Sequence, residues 1–325
     1  MGTCSGCLVS CDKGKRDTLH TTEAVHSDST PALASLQQPK IAPLCFLSVY
    51  TARKTIAALR QAYKVVGRPV GAVLGKRLVP KHLEGGEWCK DRQSLDRESA
   101  YCGQVKAGVE EGYGVKRWQD GSEYEGFWTA GLAEGLGCLH RPGDSSYEGY
   151  WKAGKTNGLG VYTRKGHSTY TGEWKDDKQH GQGLEVWPDG LRYEGQYVNG
   201  LKEGSGALTL ADGSAYKGTF LCNELSGSGE YVWADGRRYE GEWLHNKMHG
   251  TGKLSWPDGR SYQGHFEGDK KQGQGVFHWP DGREYEGPWE DGRHQGIGWF
   301  TDTLGVKRKG EWRDGKRLRW VTGSA

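Results

Sequence analysis

The chain has 325 residues, 53 of them glycine, with 34% hydrophobic residues and a net charge of +3. So much glycine and so little aliphatic content exclude one conventional hydrophobic core. Burial falls to the 14 Trp and 16 Tyr, which suit a thin sheet whose rings stack over glycine. No run of eighteen apolar residues occurs, so no transmembrane helix is expected.

Residues 1–40 read as a disordered tail. Its opening, MGTCSGCLVSC, sets Gly2 after the initiator Met as an N-myristoylation acceptor, with Cys4 and Cys7 in reach of palmitoylation. The usual motif has Ser or Thr where this chain has Gly6. One acyl chain anchors only marginally, so a second acyl group or a basic patch is needed. Metal binding by Cys4, Cys7 and Cys11 is the rival chemistry, although no second Cys pair closes a tetrahedral site. An unmodified tail is the third reading, since Asp12 to Gln38 is polar, Ser/Thr-rich and poor in aromatics.

Residues 41–82 are a basic segment. Lys40 to Lys81 holds nine Lys or Arg and no acid, and residues 1–100 carry fifteen basic against nine acidic groups. The remainder carries 29 against 32, which weakens any charge-driven binding of anionic lipid by that part. Val49, Ala52, Ile56, Leu59, Ala62, Tyr63 and Val66 recur at three- and four-residue steps, predicting an amphipathic helix of about eighteen residues. Arg53, Lys54, Arg60 and Lys64 fall largely off that face, and Gly67 and Pro69 end it. Such a helix could lie on an anionic membrane, bind an acidic helical partner, or dock over the first hairpin as a cap. Residues 84–88, EGGEW, echo the repeat that follows, so residues 83–100 read as a degenerate half-repeat cap.

From Tyr101 the chain repeats every 23 residues, with starts at Tyr101, Tyr124, Tyr147, Tyr170, Tyr193, Tyr216, Tyr239, Tyr262 and Tyr285 and a partial tenth copy at Arg308, filling residues 101–314. The first, third and fifth places read aromatic, glycine, aromatic, as in Tyr239, Gly241 and Trp243. Period two places the rings on one strand face and Glu240 and Glu242 on the other. Gly250, Gly252, Leu254 and Trp256 would share a face of a second strand, so each unit is a hairpin. Asp-Gly closes six full units, among them Asp258-Gly259, and supplies the positive φ that tight turns require. A preceding Pro, as at Pro257, ends the strand for want of an N–H. The paired glycines leave a groove for a ring from a neighbouring strand. Nineteen or so strands at the usual spacing give a twisted strip about 90 Å long, built of local contacts.

The Tyr-Glu-Gly-Glu-Trp opening, the Gly-x-Gly and the Asp-Gly at this fixed spacing resemble the MORN (membrane occupation and recognition nexus) repeat family. The resemblance covers about two thirds of the chain. It implies an all-β array, an elongated antiparallel sheet of consecutive hairpins, used for protein scaffolding, dimerisation and phospholipid contact. Three departures, Val105 for the Trp, the inverted Gly143-Asp144 and Arg308 for the last Tyr, lie mainly towards the ends.

Eight scattered cysteines do not form a disulfide framework, the repeats hold no glycosylation sequon, and no signal peptide is visible, so a reducing, cytoplasmic compartment is expected. No Walker loop, zinc-protease helix or nucleophile elbow occurs. His180 and His249 read as exposed turn residues, and the repeated Glu pairs lack the asymmetric pocket that would separate two carboxyl pKa values. No enzyme activity, cofactor, metal or nucleic acid is expected.

The sequence therefore predicts a scaffold whose groove for a partner helix or second array is lined by Tyr170, Trp174, Trp187, Tyr193, Trp233, Tyr239, Trp243, Trp256, Tyr262, Phe266, Trp279, Tyr285 and Trp289. The acylated tail and basic helix would tether it to a membrane. The alternatives are a component of a cilium, flagellum or cytoskeletal assembly, as in radial spoke heads, and a non-catalytic regulator of a phosphatidylinositol phosphate kinase. Residues 315–325 form a tail, and Trp312 and Trp320 mark an unfinished hairpin expected to pair two copies.

Overall fold

The computed structural model describes residues 99–321. The chain divides into units of residues 1–44 and 45–325, and the described residues lie in the second. Gly2, Cys4 and Cys7, the basic helical segment and residues 83–98 fall outside the described residues.

Twenty-one strands, numbered in chain order, run from β1 (Ser99–Lys106) to β21 (Lys316–Trp320), with no helix among the described residues. Each strand pairs antiparallel with the next, except that β18 and β19 both pair with β17, so the sheet is one continuous meander of ten hairpins. No helix among the described residues is long and apolar enough to cross a membrane.

The seventh unit shows how the sequence makes a hairpin. In β13 (Arg238–Leu244), Tyr239 and Trp243 turn inward and are buried, while Glu240 and Glu242 face water. The turn to β14 (Lys247–Ser255) is the dipeptide His245-Asn246 at φ 49° and 64°. Two residues at positive φ match the twist of the flanking strands. This seventh-and-eighth-place turn recurs as Asn199-Gly200, Asp176-Asp177 and Ala107-Gly108. It is the tight turn of the fold, which the sequence reading had assigned to Asp-Gly. At Asp258-Gly259 only the glycine has positive φ, 91°, and the aspartate instead accepts the Arg260 N–H at 3.0 Å.

The two glycines of Gly-x-Gly do different work. Between β13 and β14 the register jumps from Gly241 opposite Gly252 to Glu242 opposite His249, which makes a bulge. Gly250 sits there at φ 57°, where an added Cβ would fall 2.5 Å from the Glu242 carboxyl. That carboxylate accepts the Thr251 N–H at 2.9 Å and its hydroxyl at 2.6 Å, and these bonds lower the Glu242 pKa. Gly250 therefore shapes the strand, and Gly252 with Gly241 seats the ring. That ring is Tyr239, on β13, the neighbouring strand of the same hairpin, which is the seat the paired glycines were expected to leave.

Successive hairpin tips are bonded along one edge. Asn246 donates its N–H to the Leu225 carbonyl at 3.1 Å, and its side-chain oxygen accepts the Leu225 N–H at 2.8 Å. Asp269 does the same with Met248. One unit is interrupted: Pro288 in β17 (Glu284–Glu290) has no N–H to offer. The partner strand there splits into β18 (Arg293–His294) and β19 (Gly296–Thr301) around Gln295. At the far end, residues 316–320, expected within a tail, form β21 and complete a hairpin with β20 (Lys307–Arg313). Cys138 and Cys222 are outside any disulfide, whereas Cys102 is disulfide-bonded, a single bridge where no disulfide framework was expected.

Candidate protein-binding surface

The inward face is a ladder of rings. From Tyr124 on, each first-place Tyr meets the fifth-place ring of its own unit and that of the next, edge to face, while Tyr101, whose unit has Val105, meets Trp128 of the next. Tyr239, for example, has Trp243 at 5.2 Å and Phe266 at 5.1 Å. The same contacts run from Tyr101–Trp128 at 5.7 Å to Tyr285–Trp312 at 5.0 Å. Each first-place Tyr hydroxyl donates to the carbonyl three residues on, as Tyr239 does to Glu242 at 2.9 Å. Several fifth-place indoles donate back to the preceding unit, as Trp243 does to the Gly229 carbonyl at 3.2 Å. Burial raises the Tyr239 and Tyr262 pKa values and takes that of Tyr285 up to about 12.

This divides the rings that the sequence had gathered into one groove. Tyr170, Tyr193, Tyr239, Tyr262 and Tyr285 are 0% exposed, and Trp243, Phe266 and Trp289 are buried with them. They are the core and cannot be touched by a partner. Trp174, Trp187, Trp233, Trp256 and Trp279 pack against that core but remain partly exposed. At the C-terminal end Trp312 is buried, and Trp320 packs on it at 6.4 Å.

The eighteenth-place tryptophans are held in place by the turn beside them. Arg237, Arg260 and Arg283 stack on Trp233, Trp256 and Trp279 at 5.1, 5.4 and 5.4 Å. Their guanidinium groups pair with Asp235, Asp258 and Asp281 at 2.8, 2.7 and 2.8 Å. Cations also enter the ring face from the tenth place. Lys271 lies 5.0 Å from the Phe277 centre and 5.1 Å from that of Trp256. Lys202 lies 5.4 Å from Trp187, and burial lowers its pKa against the opposing pull of Glu185. His294 occupies the same place two units from the end, 4.0 Å from the Tyr285 ring centre, with its Nε2 buried and unpartnered. Burial, with Lys271 nearby, takes its pKa down to about 4. These tenth-place groups were missed from sequence, because a Lys among Leu225 and Met248 equivalents carries no motif.

The repeated acids and histidines have structural partners. Glu203 accepts the Cys222 N–H at 3.0 Å, and His180 occupies the equivalent place against Asn199. Among the described residues no cluster of His, Cys, Asp or Glu is placed to hold a metal.

The sequence matches the MORN repeat nine times in succession, at residues 101–123, 124–146, 147–169, 170–192, 193–215, 216–237, 239–259, 262–282 and 285–303. The chain belongs to the MORN repeat family. Its MORN sheet is similar to the TCP10 domain of Danio rerio CPAP, solved in complex with a peptide of Danio rerio STIL. Identity is 12%, over 66% of this chain and 97% of that one, with a TM-score of 0.37. It is also similar to the SAS-4 (dCPAP) TCP domain of Drosophila melanogaster in complex with a proline-rich motif of Ana2 (dSTIL). There identity is 16%, over 59% of this chain and 99% of that one, with a TM-score of 0.31. Likenesses of that size carry no inference about what a MORN array binds. The sequence has no match among curated proteins.

Proposed function

We propose that the chain is a non-catalytic MORN scaffold that binds a protein segment along the partly exposed tryptophan rim of its ring face. The observation that carries this is the row Trp187, Trp233, Trp256 and Trp279, all packed on the core, the last three also under Arg stacks, and bordered by Lys202 and Lys271. Rigid aromatics beside lysines that lie over their rings suit an amphipathic partner that brings apolar and acidic side chains together. Glu173 and Glu242 at the fourth place and Glu111, Glu134 and Glu203 at the eleventh accept backbone N–H groups, so they hold the sheet rather than act on a substrate.

A photocrosslinking amino acid in place of Trp256, compared with one in place of Thr251 on the opposite face, tests this reading in cells. Protein adducts should form at 256 and weaken when Trp233 and Trp279 are changed to Ala. Equal adducts from both faces, or none that depend on the neighbouring tryptophans, would refute it.

The membrane tether belongs to this proposal as its second half, supported by Gly2, Cys4 and Cys7 and by the basic segment. Fractionation of wild type and Gly2→Ala, with intact-mass analysis, decides it: acylated wild type in membranes and soluble Gly2→Ala support the tether. Unacylated protein that pellets with cytoskeleton in both forms favours a cytoskeletal or ciliary location.

A further inference from the structure

The outward face of the sheet carries scattered apolar residues, such as Val198, Leu221 and Ile297, but in one stretch they stand paired across adjacent strands. Fourth- and thirteenth-place residues of adjacent strands stand opposite each other there. From the fourth unit to the eighth the pairs read Gln182 with Gln196, Ser205 with Thr219, Ser228 with Glu242, Thr251 with His265 and Gln274 with Pro288, and the ninth sets a single apolar residue, Ile297, opposite Glu311. In the first units the same places hold Tyr113 with Phe127 and Leu136 with Tyr150, and then Leu159 opposite Glu173. The fifteenth place on that face adds Val115, Cys138 and Val161. One backbone geometry accepts polar pairs four times, so folding alone does not require an apolar patch here.

The patch is partly open to solvent: Tyr150 is 37% exposed and Leu132, on the same face nearer the tips, 49%, while Tyr113, Phe127, Leu136 and Leu159 are half-buried. Acids border it: Glu111 and Glu134 face outward with one carboxylate oxygen on a turn N–H, and Glu125 takes the Tyr113 hydroxyl. It spans the strands from β2 (Val109–Trp118) to β6 (Lys155–Arg164), a width of roughly 20 Å at the usual strand spacing.

We propose that the patch is covered by the chain's own segment from Val49 to Val66. Val49, Ile56, Leu59, Tyr63 and Val66 form its apolar stripe, and as a helix the segment is about 26 Å long, enough to cross the five strands. Arg53, Lys54, Arg60 and Lys64 flank that stripe and meet the acids around the patch, in a region from Lys40 to Lys81 that contains no acid of its own. The chain enters the sheet at Ser99, on the strand next to the patch, and the residues between Val66 and Ser99 can span far more than 20 Å. The helix then lies against the sheet rather than on lipid, and the membrane half of the proposed function rests on acylation alone.

Hydrogen exchange of the full-length protein, read by mass spectrometry, tests this. Amides of residues 49–66 should exchange about tenfold more slowly in wild type than in the triple variant Leu136→Ser, Tyr150→Thr, Leu159→Ser. Those replacements introduce residues that the array already carries at the same places, so the sheet should keep its own protection. Ile56→Asp with Leu59→Asp should release the segment from the other side. The proposal is overturned if 49–66 is unprotected in wild type, or stays protected in the triple variant. It is equally overturned if protection rises with protein concentration, which would mean a second copy, or appears only with phosphatidylserine vesicles, which would mean a membrane.

Discussion

Gly252→Ala separates two accounts of why the array is built on glycine. Gly252 does not have positive φ, so if it served only as a flexible strand residue, alanine would stabilise the protein by roughly 0.4–1 kcal/mol through the unfolded chain. The structure makes the opposite prediction. An added Cβ would lie 2.4 Å from the Tyr239 hydroxyl and 2.5 Å from ring carbons Cε2 and Cζ. The ring has nowhere to go: it is 0% exposed, flanked by Trp243 and Phe266, and tied to the Glu242 carbonyl. Forcing the backbone aside costs roughly 1–3 kcal/mol as overpacking, and expelling the ring costs roughly 3–5 kcal/mol. We expect a loss of about 3 kcal/mol, read as a lower urea midpoint by tryptophan fluorescence of the full-length protein. In a Tyr239→Ala background the clash is gone, and Gly252→Ala should become nearly neutral, giving a coupling of about 3 kcal/mol. An unchanged midpoint, or an equal cost in both backgrounds, would refute the ring-seat account.

His294 is half-buried with its Nε2 sealed off and its pKa down to about 4, below the unfolded value, so its contribution is complete above about pH 6.5 and lost as pH falls towards 4. Wild type should lose up to about 1.4 kcal/mol per pH unit in that window, and His294→Leu should not, as urea midpoints at stepped pH will show. Below it the lowered pKa values of Glu242, Asp258 and Asp291 continue the loss in both forms. Lys202→Leu removes a desolvated ammonium from a place where Leu225 already fits, so thermal melting should show a gain of about 1 kcal/mol. Crosslinking at position 256 should decrease in the same variant. Dimerisation through β21 would set Arg317 against Arg319 across an antiparallel seam. Light scattering should therefore find more dimer at high salt than at low, and a dimer that salt weakens would place the contact elsewhere.

The period-two pattern of Tyr239, Gly241 and Trp243 made the strands, their pairing order and the inward ring face legible before any coordinates. Two features were not, each for a physical reason. The tight turns carry pairs as unlike as Ala107-Gly108, Cys222-Asn223 and His245-Asn246. Only backbone geometry unites them, whereas the conspicuous Asp-Gly marks the longer turn. The accessible part of the groove was hidden because alternation tells which face a ring is on and not how deeply the next unit buries it. Tyr239 and Trp256 look equivalent in sequence, and one is sealed by Phe266 while the other stands at the rim.

In an array of this kind the residues that repeat most faithfully say least about partners. Tyr239 and its eight equivalents, the ring-seat glycines and the bulge glycines are each accounted for by contacts inside the sheet. A partner that read them alone would bind any unit as well as any other. Information specific to this chain has to sit where one backbone position varies along the array. On the ring face that is the tenth place, which changes from Ala133 and Thr156 to Lys202, Lys271 and Arg317. On the outward face it is the pair that changes from Leu136 with Tyr150 to Ser205 with Thr219. The two variations lie at opposite ends and on opposite faces. The N-terminal hairpins can therefore hold a segment of their own chain while the C-terminal rim stays free for another protein.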